Sequence, residues 1–464
     1  VIIELSTFDR PKALSLCIAA SAAMLPSLAM ADIVSHSENT QTATLQLNQM
    51  IAVAIMQDAT RAQYASQSQA LRESGVASST LMDPKIKVGF GGLPIDSFKF
   101  DDDPMTNISV GLMQQFERGS TLELNQRKAN QQAEGVSLQA QVREREIANQ
   151  MTQLWLELGY LQRTQALVEE NQRVMGEMEQ FVRTNYAIGN SEAQDLLNTQ
   201  LQLHKIDDKL QSNLQMQQRL LAQLSEWLGA QWLTQINHEA LPLASNQLDW
   251  SRLDQLLARY AQTQEYYPEL KQHPMASIAD VNISVTQTQV DIAEQSYTPQ
   301  FGVEVMYAHR QANNMRGEPA SDLVSAYLTL DIPLFTGNRQ DKSLSAAQYQ
   351  VGASQYQKDA LLAQMNAQVN ALVNDRVNLI ERIERYQERL IPQASARIEA
   401  IERGYQNNTA QFSDVLTATT DDIALRIELE RLVTDLNITN SKLAALLGGY
   451  QHSLPNSAAH APQQ

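Results

Sequence analysis

Residues 147–182 read IANQMTQLWLELGYLQRTQALVEENQRVMGEMEQFV, and an apolar residue returns at every seventh position: Ile147, Leu154, Leu161, Val168, Met175, Val182. Met151 and Leu158 supply part of a second seam. A sustained seven-residue period means about 3.5 residues per turn, so helices meeting along it wind into a left-handed coiled coil. No proline stands between Met105 and Leu241, so nothing there removes a helical donor. The seam reverses near Gly189 and returns through Leu203, Ile206, Leu210, Leu214, Leu221 and Leu224. At 1.5 Å per residue, a hairpin arm of ~70 residues is roughly 105 Å long, far beyond an ordinary globular helix.

A second copy of this plan follows. Tyr186 to Leu197 (YAIGNSEAQDLL) aligns with Tyr405 to Leu416 (YQNNTAQFSDVL) at an offset of 219, matching the tyrosine, the Gly189/Asn408 turn position, Asp195/Asp414 and Leu197/Leu416. The same offset carries Leu228-Gly229 onto Leu447-Gly448, and an offset of 218 carries Val110–Gly119 onto Leu328–Gly337. The chain reads as a divergent internal duplication. The second helical arm runs through Ile380, Ile383, Leu390, Ile401 and Tyr405, and Pro392 predicts a kink in it.

Ahead of each helical hairpin the period changes to two. Ile86, Val88 and Phe90 alternate with Lys85, Lys87 and Gly89, and Ile108, Val110 and Leu112 with Asn107, Ser109 and Gly111. In the second repeat Phe301, Val303, Val305 and Tyr307 form one such run, and Val324, Ala326, Leu328, Leu330 and Ile332 another. Polar, turn-rich segments join them, so each repeat supplies a strand hairpin with one apolar and one polar face. In a soluble protein the apolar face covers a core. In a membrane barrel it faces lipid, and Lys87, Glu304 and Asp331 face a wet lumen.

Composition narrows the classes. The net charge of −17 argues against nucleic-acid binding. Arg10 and Lys12, the apolar run from Ala13 to Leu28, and Ala29-Met30-Ala31 before Asp32 read as a secretory signal peptide cleaved before Asp32. Lipidation at the sole cysteine, Cys17, is the alternative, but Leu16 stands where a small residue belongs. No stretch has the ~18 consecutive apolar residues of a membrane-spanning helix, so a membrane crossing has to be a closed β-barrel. Catalytic and cofactor signatures are missing. The seven histidines form no HxxxH or HExxH pattern, and neither a phosphate loop nor a Gly-rich dinucleotide motif occurs. Asp101-Asp102-Asp103 reads as a solvated loop, and Met151, Met175 and Met178 as seam residues rather than soft-metal ligands.

The ordered set of landmarks resembles the TolC family of outer-membrane efflux proteins. Its carriers are the duplicated strand and helix hairpins, Tyr186-x-x-Gly189-x5-Asp195-Leu196-Leu197 with its second copy, Leu330-Asp-Ile-Pro333-Leu-Phe-Thr-Gly337, and the Leu-Gly ending each hairpin. The resemblance covers roughly residues 45–449 and departs at Asn408, where glycine is usual. It implies a mixed α and β fold: long coiled-coil hairpins forming a periplasmic barrel, and four strands per chain contributing to a trimeric twelve-stranded transmembrane β-barrel. The implied function is the exit duct of a tripartite pump, without enzymatic activity or cofactor. The implied partners are two further copies of the chain, outer-membrane lipid, a periplasmic adaptor (membrane fusion) protein and an inner-membrane transporter of the RND type. It implies a periplasmic gate at Asp195 and Asp414, and adaptor-contact tips at Tyr186, Gly189, Asn190, Tyr405, Asn408 and Thr409. A cap at the N-terminus of the following helix is the plainer role for either aspartate. The loop Leu93-Pro-Ile-Asp-Ser-Phe98 with Asp103-Pro104-Met105 resembles a heavy-metal efflux branch, which implies metal cations as cargo. A secreted coiled-coil structural or adhesive protein is the rival reading.

The expected organisation is a signal peptide (1–31), N-terminal equatorial helices (32–83), a first strand hairpin (84–118), a first helical hairpin (119–229), an equatorial segment (230–298), a second strand hairpin (299–336), a second helical hairpin (337–449) and a disordered tail (450–464).

Overall fold

The computed structural model describes residues 42–189, 191–238, 242–407 and 409–450. The signal peptide, the lipidation alternative at Cys17, Asn190, Asn408 and the tail from Gln451 lie outside them. In chain order the elements are α1 (residues 42–57), α2 (Ala59–Ser78), β1 (Lys85–Gly91), β2 (Asn107–Gln115), α3 (Thr121–Ala187) and α4 (Ala193–His238). After these come α5 (Ser251–Tyr260), the single turn α6 (Tyr267–Leu270), α7 (Pro274–Gln295), β3 (Gln300–His309), β4 (Leu323–Asp331), α8 (Gln340–Arg385), α9 (Ile391–Gln406) and α10 (Phe412–Leu447). A π-helical turn, Tyr386–Leu390, joins α8 to α9. The chain divides into two units, residues 1–58, 145–264 and 369–464 in one, and residues 59–144 and 265–368 in the other.

The second unit holds the sheet. All neighbours are antiparallel, in the order β1-β2-β3-β4. The register places Ile86 opposite Leu112, Leu112 opposite Val305 and Val303 opposite Leu328, so the period-2 residues share one face. That face is bare: Ile86 is 72%, Phe90 64% and Val324 74% exposed. Around it, helices are pinned by side chains. Ser68 donates to the Ala133 carbonyl (2.8 Å), Arg61 pairs with Glu144 (2.6 Å), and Asn366 Oδ1 accepts from the Tyr266 amide (2.8 Å).

In the first unit α1 lays Leu47, Ile51 and Ile55 against Ile147, Met151 and Trp155 of α3 and Leu224 of α4, all fully or almost fully buried. Farther along, Val168, Met175 and Ile206 of the first hairpin pack with Leu416 of α10, so the seam takes in a third helix. The expected seam fails at Leu214, which is 45% exposed. Asn213 and Gln217 hold the buried positions instead. Asn213 donates to the Leu161 carbonyl (3.0 Å), and Gln217 donates to Gln165 and Asn213 (both 2.6 Å). The amide N–H groups find partners and hold the layer without an apolar residue, while Gln217 Oε1 has none.

At Gly229 the backbone leaves helical angles, φ 83°, ψ 162°, and a further helical stretch runs on to His238. Gly448, its counterpart in the repeat, stops α10 at nearly the same angles, φ 78°, ψ 176°. Near Pro392 the arm changes helix type rather than ending. The π turn precedes it, with the Ile391 amide bonded to the Tyr386 carbonyl, and Pro392 falls in the first turn of α9, where a missing N–H costs least.

The segment between α4 and α5 is a strap over this unit. Gln162 clamps it with both ends of its amide, donating to the Pro242 carbonyl (2.9 Å) and accepting from the Ala244 amide (3.0 Å). Asn246 donates to Glu430 (2.7 Å), and Asn437 Oδ1 accepts from the Leu248 amide (3.1 Å) and the Trp250 indole (2.7 Å). The strap crosses α3 where only glycine allows it: a Cβ on Gly159 would lie 2.3 Å from the Ser245 carbonyl carbon and 2.4 Å from the Asn246 nitrogen.

Glycine to alanine inside a helix ordinarily stabilises by about 0.5–1 kcal/mol. Gly159→Ala is expected to do the opposite, by about 2 kcal/mol, because backbone has to move. Gly176→Ala on the same helix meets nothing within 4 Å and serves as the comparison. Thermal unfolding followed by helical circular dichroism should show a lower Tm for the first and an equal or higher Tm for the second; equal Tm values would refute the strap contact.

Candidate functional site

The residues singled out from sequence gather in two places, the helix-hairpin tips and the polar face of the sheet. At the first tip α3 closes on Tyr186, whose carbonyl accepts from the Gly189 amide (3.0 Å), and Gly189 turns the chain at φ 78°. Asp195 stands in the first turn of α4, half-buried, its own amide bonded to the Glu192 carbonyl (3.1 Å). A negative charge there suits the helix dipole. Tyr186, Ile188 and Leu197 are 47%, 66% and 64% exposed, an apolar patch on the tip.

At the second tip the amides of Thr409 and Ala410 both bond the Gly404 carbonyl, at 2.8 and 3.2 Å. Asp414 is the third residue of α10 and closes a capping box: its Oδ2 accepts from the Gln411 amide (3.0 Å), while the Gln411 side chain accepts from the Asp414 amide. Asp414 therefore caps, and it remains exposed. Tyr405 packs edge-on against Phe412, ring centres 6.0 Å apart.

The tips also communicate. Burial raises the Tyr405 phenol above its ordinary value, and the Asp195 charge raises it further. The tyrosine of one repeat thus sits in the field of the aspartate of the other. Sequence reading named both residues separately; the repeat alignment matches Tyr186 to Tyr405 and Asp195 to Asp414 but carries no signal for this crossed pairing.

On the sheet, Lys87 Nζ lies 3.2 Å from Glu304 Oε1. Asp331 pairs with Arg118, which also donates to the carbonyls of Ser296 (3.3 Å) and Thr298 (2.9 Å). Register puts Lys87, Glu304 and Asp331 on the face opposite the apolar residues. Arg118 was missed because it lies beyond the strand alternation. Among the described residues no group of three or more His, Cys, Asp or Glu converges as metal ligands, and no helix is long and apolar enough to cross a membrane.

Residues 266–449 match the family model described as outer membrane efflux protein. The match spans the second repeat and the segment before it, less than half of the chain. Its fold is that of solved channels. VceC from Vibrio cholerae superimposes with a TM-score of 0.69 at 15% identity, covering 88% of this chain and 98% of that one. CmeC from Campylobacter jejuni gives 0.64 at 10% identity, over 87% and 85%. The open state of MtrE from Neisseria gonorrhoeae gives 0.62 at 11%, over 87% and 89%. No curated protein matches the sequence. CmeC and MtrE are outer membrane channels. Channels of this family are trimeric and work with adaptors and inner-membrane transporters.

Because the folded state raises the Tyr405 pKa, the neutral phenol is what the tip favours. That contribution is complete below about pH 10 and is lost as pH climbs through the folded value. Asp195→Asn removes the smaller cause and leaves burial, so Tyr405 should ionise at lower pH than in the parent while staying above its ordinary value. Tyrosinate absorbance, taken as the difference from a Tyr405→Phe protein in each background, reads this directly; an unmoved titration would disprove the crossed pairing.

Proposed function

We propose that three copies of this chain close their sheets into one twelve-stranded barrel and that the assembly is the exit duct of a tripartite efflux pump. The observation that carries this is the sheet with a bare apolar face, a charged face, and two open edges, β1 and β4. In hydrocarbon, unpaired edge groups are not tolerated, and four strands are too few to close on themselves. Pairing β4 of one copy with β1 of the next satisfies every edge and turns Lys87, Glu304 and Asp331 toward a lumen.

In this reading the strand hairpins (84–118 and 299–336) are the barrel, the helical hairpins (119–229 and 337–449) are the periplasmic conduit, and residues 32–83 and 230–298 girdle it, after loss of a signal peptide at 1–31. Tyr186, Gly189, Asn190, Tyr405, Asn408 and Thr409 meet a periplasmic adaptor, and an inner-membrane transporter of the RND type supplies the energy. Asp195 and Asp414 form the gate: three copies of each brought near one axis repel one another and draw in cations. The capping role of Asp414 is compatible with this, since a cap holds the carboxylate at the end of its helix. Metal cations as cargo rest on the Leu93–Phe98 loop resemblance alone.

Native mass spectrometry in detergent should find the trimer, and a stable folded monomer would overturn the shared barrel. In planar bilayers, Asp195→Asn and Asp414→Asn should each weaken cation selectivity and block by multivalent cations added on the tip side. Conductance, selectivity and block all unchanged in both variants would remove these residues from the gate.

A further inference from the structure

The polar face of the sheet is not uniform along its strands. Register sorts it into rows. One row holds Lys85, Met113, Glu304 and Tyr327, and the next holds Lys87, Gly111, Met306 and Ser325. Toward the loops connecting β1 to β2 and β3 to β4, the following row is Gly89, Ser109, Ala308 and Leu323, and the one after it begins with Gly91 and Asn107. Long side chains thus mark these two mid-sheet rows; Gln115, Gly302 and Thr329 follow toward the helices, and small side chains, Leu323 excepted, line the half toward the loops.

These two rows carry two lysines against one glutamate. Glu304 is committed to Lys87, its carboxylate tucked beside Gly111 and only 16% exposed. Lys85 pairs with none of the described acidic residues and is exposed. Toward the helices Arg118 pairs with Asp331, and the acidic Asp83 and Glu117 stand just beyond the ends of β1 and β2. The two rows themselves, with Lys85, Lys87 and Glu304, carry one net positive charge per chain.

The consequence rests on the trimeric barrel proposed above. With strands ~4.8 Å apart and tilted ~40°, twelve strands enclose a backbone cylinder about 25 Å across. Lysine and methionine side chains reaching ~6 Å inward leave an opening of about 13 Å, oblique because the rows follow the strand tilt. Any solute passing it stays within about one Debye length, ~8 Å, of the wall charges. Between the charges lie thioethers and a phenol ring, which are polarisable and take up apolar bodies.

We propose that this belt is a second selectivity element, within the barrel and separate from the tips, that admits small organic anions bearing an apolar body and disfavours free cations. Lys85 supplies the surplus charge, the Lys87–Glu304 pair holds the second row in place, and Met113, Met306 and Tyr327 form the apolar surface.

The test uses the purified trimer in planar bilayers under a KCl gradient, with Asp195→Asn and Asp414→Asn present so that the tips add no acidic ring. Sucrose octasulfate on the barrel side is the polyanion probe. Lys85→Glu reverses the belt charge in each chain. It should lower the chloride-to-potassium permeability ratio at least about threefold and weaken octasulfate block by about tenfold. Lys271→Glu, the same charge reversal at an exposed residue outside the sheet, should leave both readings within about twofold. Lys85→Glu channels that open normally with unchanged reversal potential and unchanged block would overturn the belt. A parent that forms no channels would instead remove the duct reading, and the belt with it.

Discussion

A backbone N–H or C=O left without a partner in hydrocarbon costs several kcal/mol, and this sheet ends on two rows of such groups, along β1 and β4. Much of the chain is organised around that constraint. The apolar face has no helix packed against it and so calls for lipid, and lipid in turn forbids open edges. An isolated copy is an unfinished object, with edges that invite any strand. Closure by identical copies is the economical answer, because a cyclic arrangement repeats one β4-to-β1 joint and leaves no edge over.

The helical part answers a different problem. Long helices with a seven-residue seam slide past one another easily, since one apolar layer resembles the next. The buried amides break that degeneracy. Asn213 and Gln217 accept only the Leu161 and Gln165 layer, and Asn437 gathers the Leu248 amide and the Trp250 indole on one oxygen. Such groups add little net stability, but a slip by one heptad leaves several of them unpaired at once. The strap acts in the same sense. Gly159 admits it at one level of α3, and Gln162 on the next turn locks it there, so the strap marks a height on the coil.

This division explains which features sequence could reveal. Strand alternation was readable because side chains repeat every two residues whatever the partner, and all four runs lie where the alternation placed them, Ile332 falling just beyond β4. The heptads were readable for the same reason. Leu214 was misplaced because a leucine in register looks apolar-facing until Asn213 and Gln217 are seen to find partners on α3. The π turn before Pro392 and the helix beyond Gly229 are local adjustments that propensity does not encode. At the tips, Tyr405, Asp195 and Asp414 could be named from the repeat, yet the field of Asp195 on Tyr405 joins residues 210 positions apart, and only the folded packing of two hairpins brings them together.

The charges now fall into a pattern along the proposed path. If the proposed gate and belt both line the duct, a permeating ion would meet an acidic ring at the tips and a basic surplus in the barrel. A duct that only needed to conduct would gain from a single sign throughout, since each reversal raises a barrier for one ion class. Two opposed belts retard small ions of either charge, while an amphiphile gains apolar contact with Met113, Met306 and Tyr327 that an inorganic ion lacks. The arrangement proposed would let a duct stay wide enough for organic cargo while limiting the leak of salt through it. That function needs no moving part in the barrel: it follows from which residues the register assigns to the two mid-sheet rows.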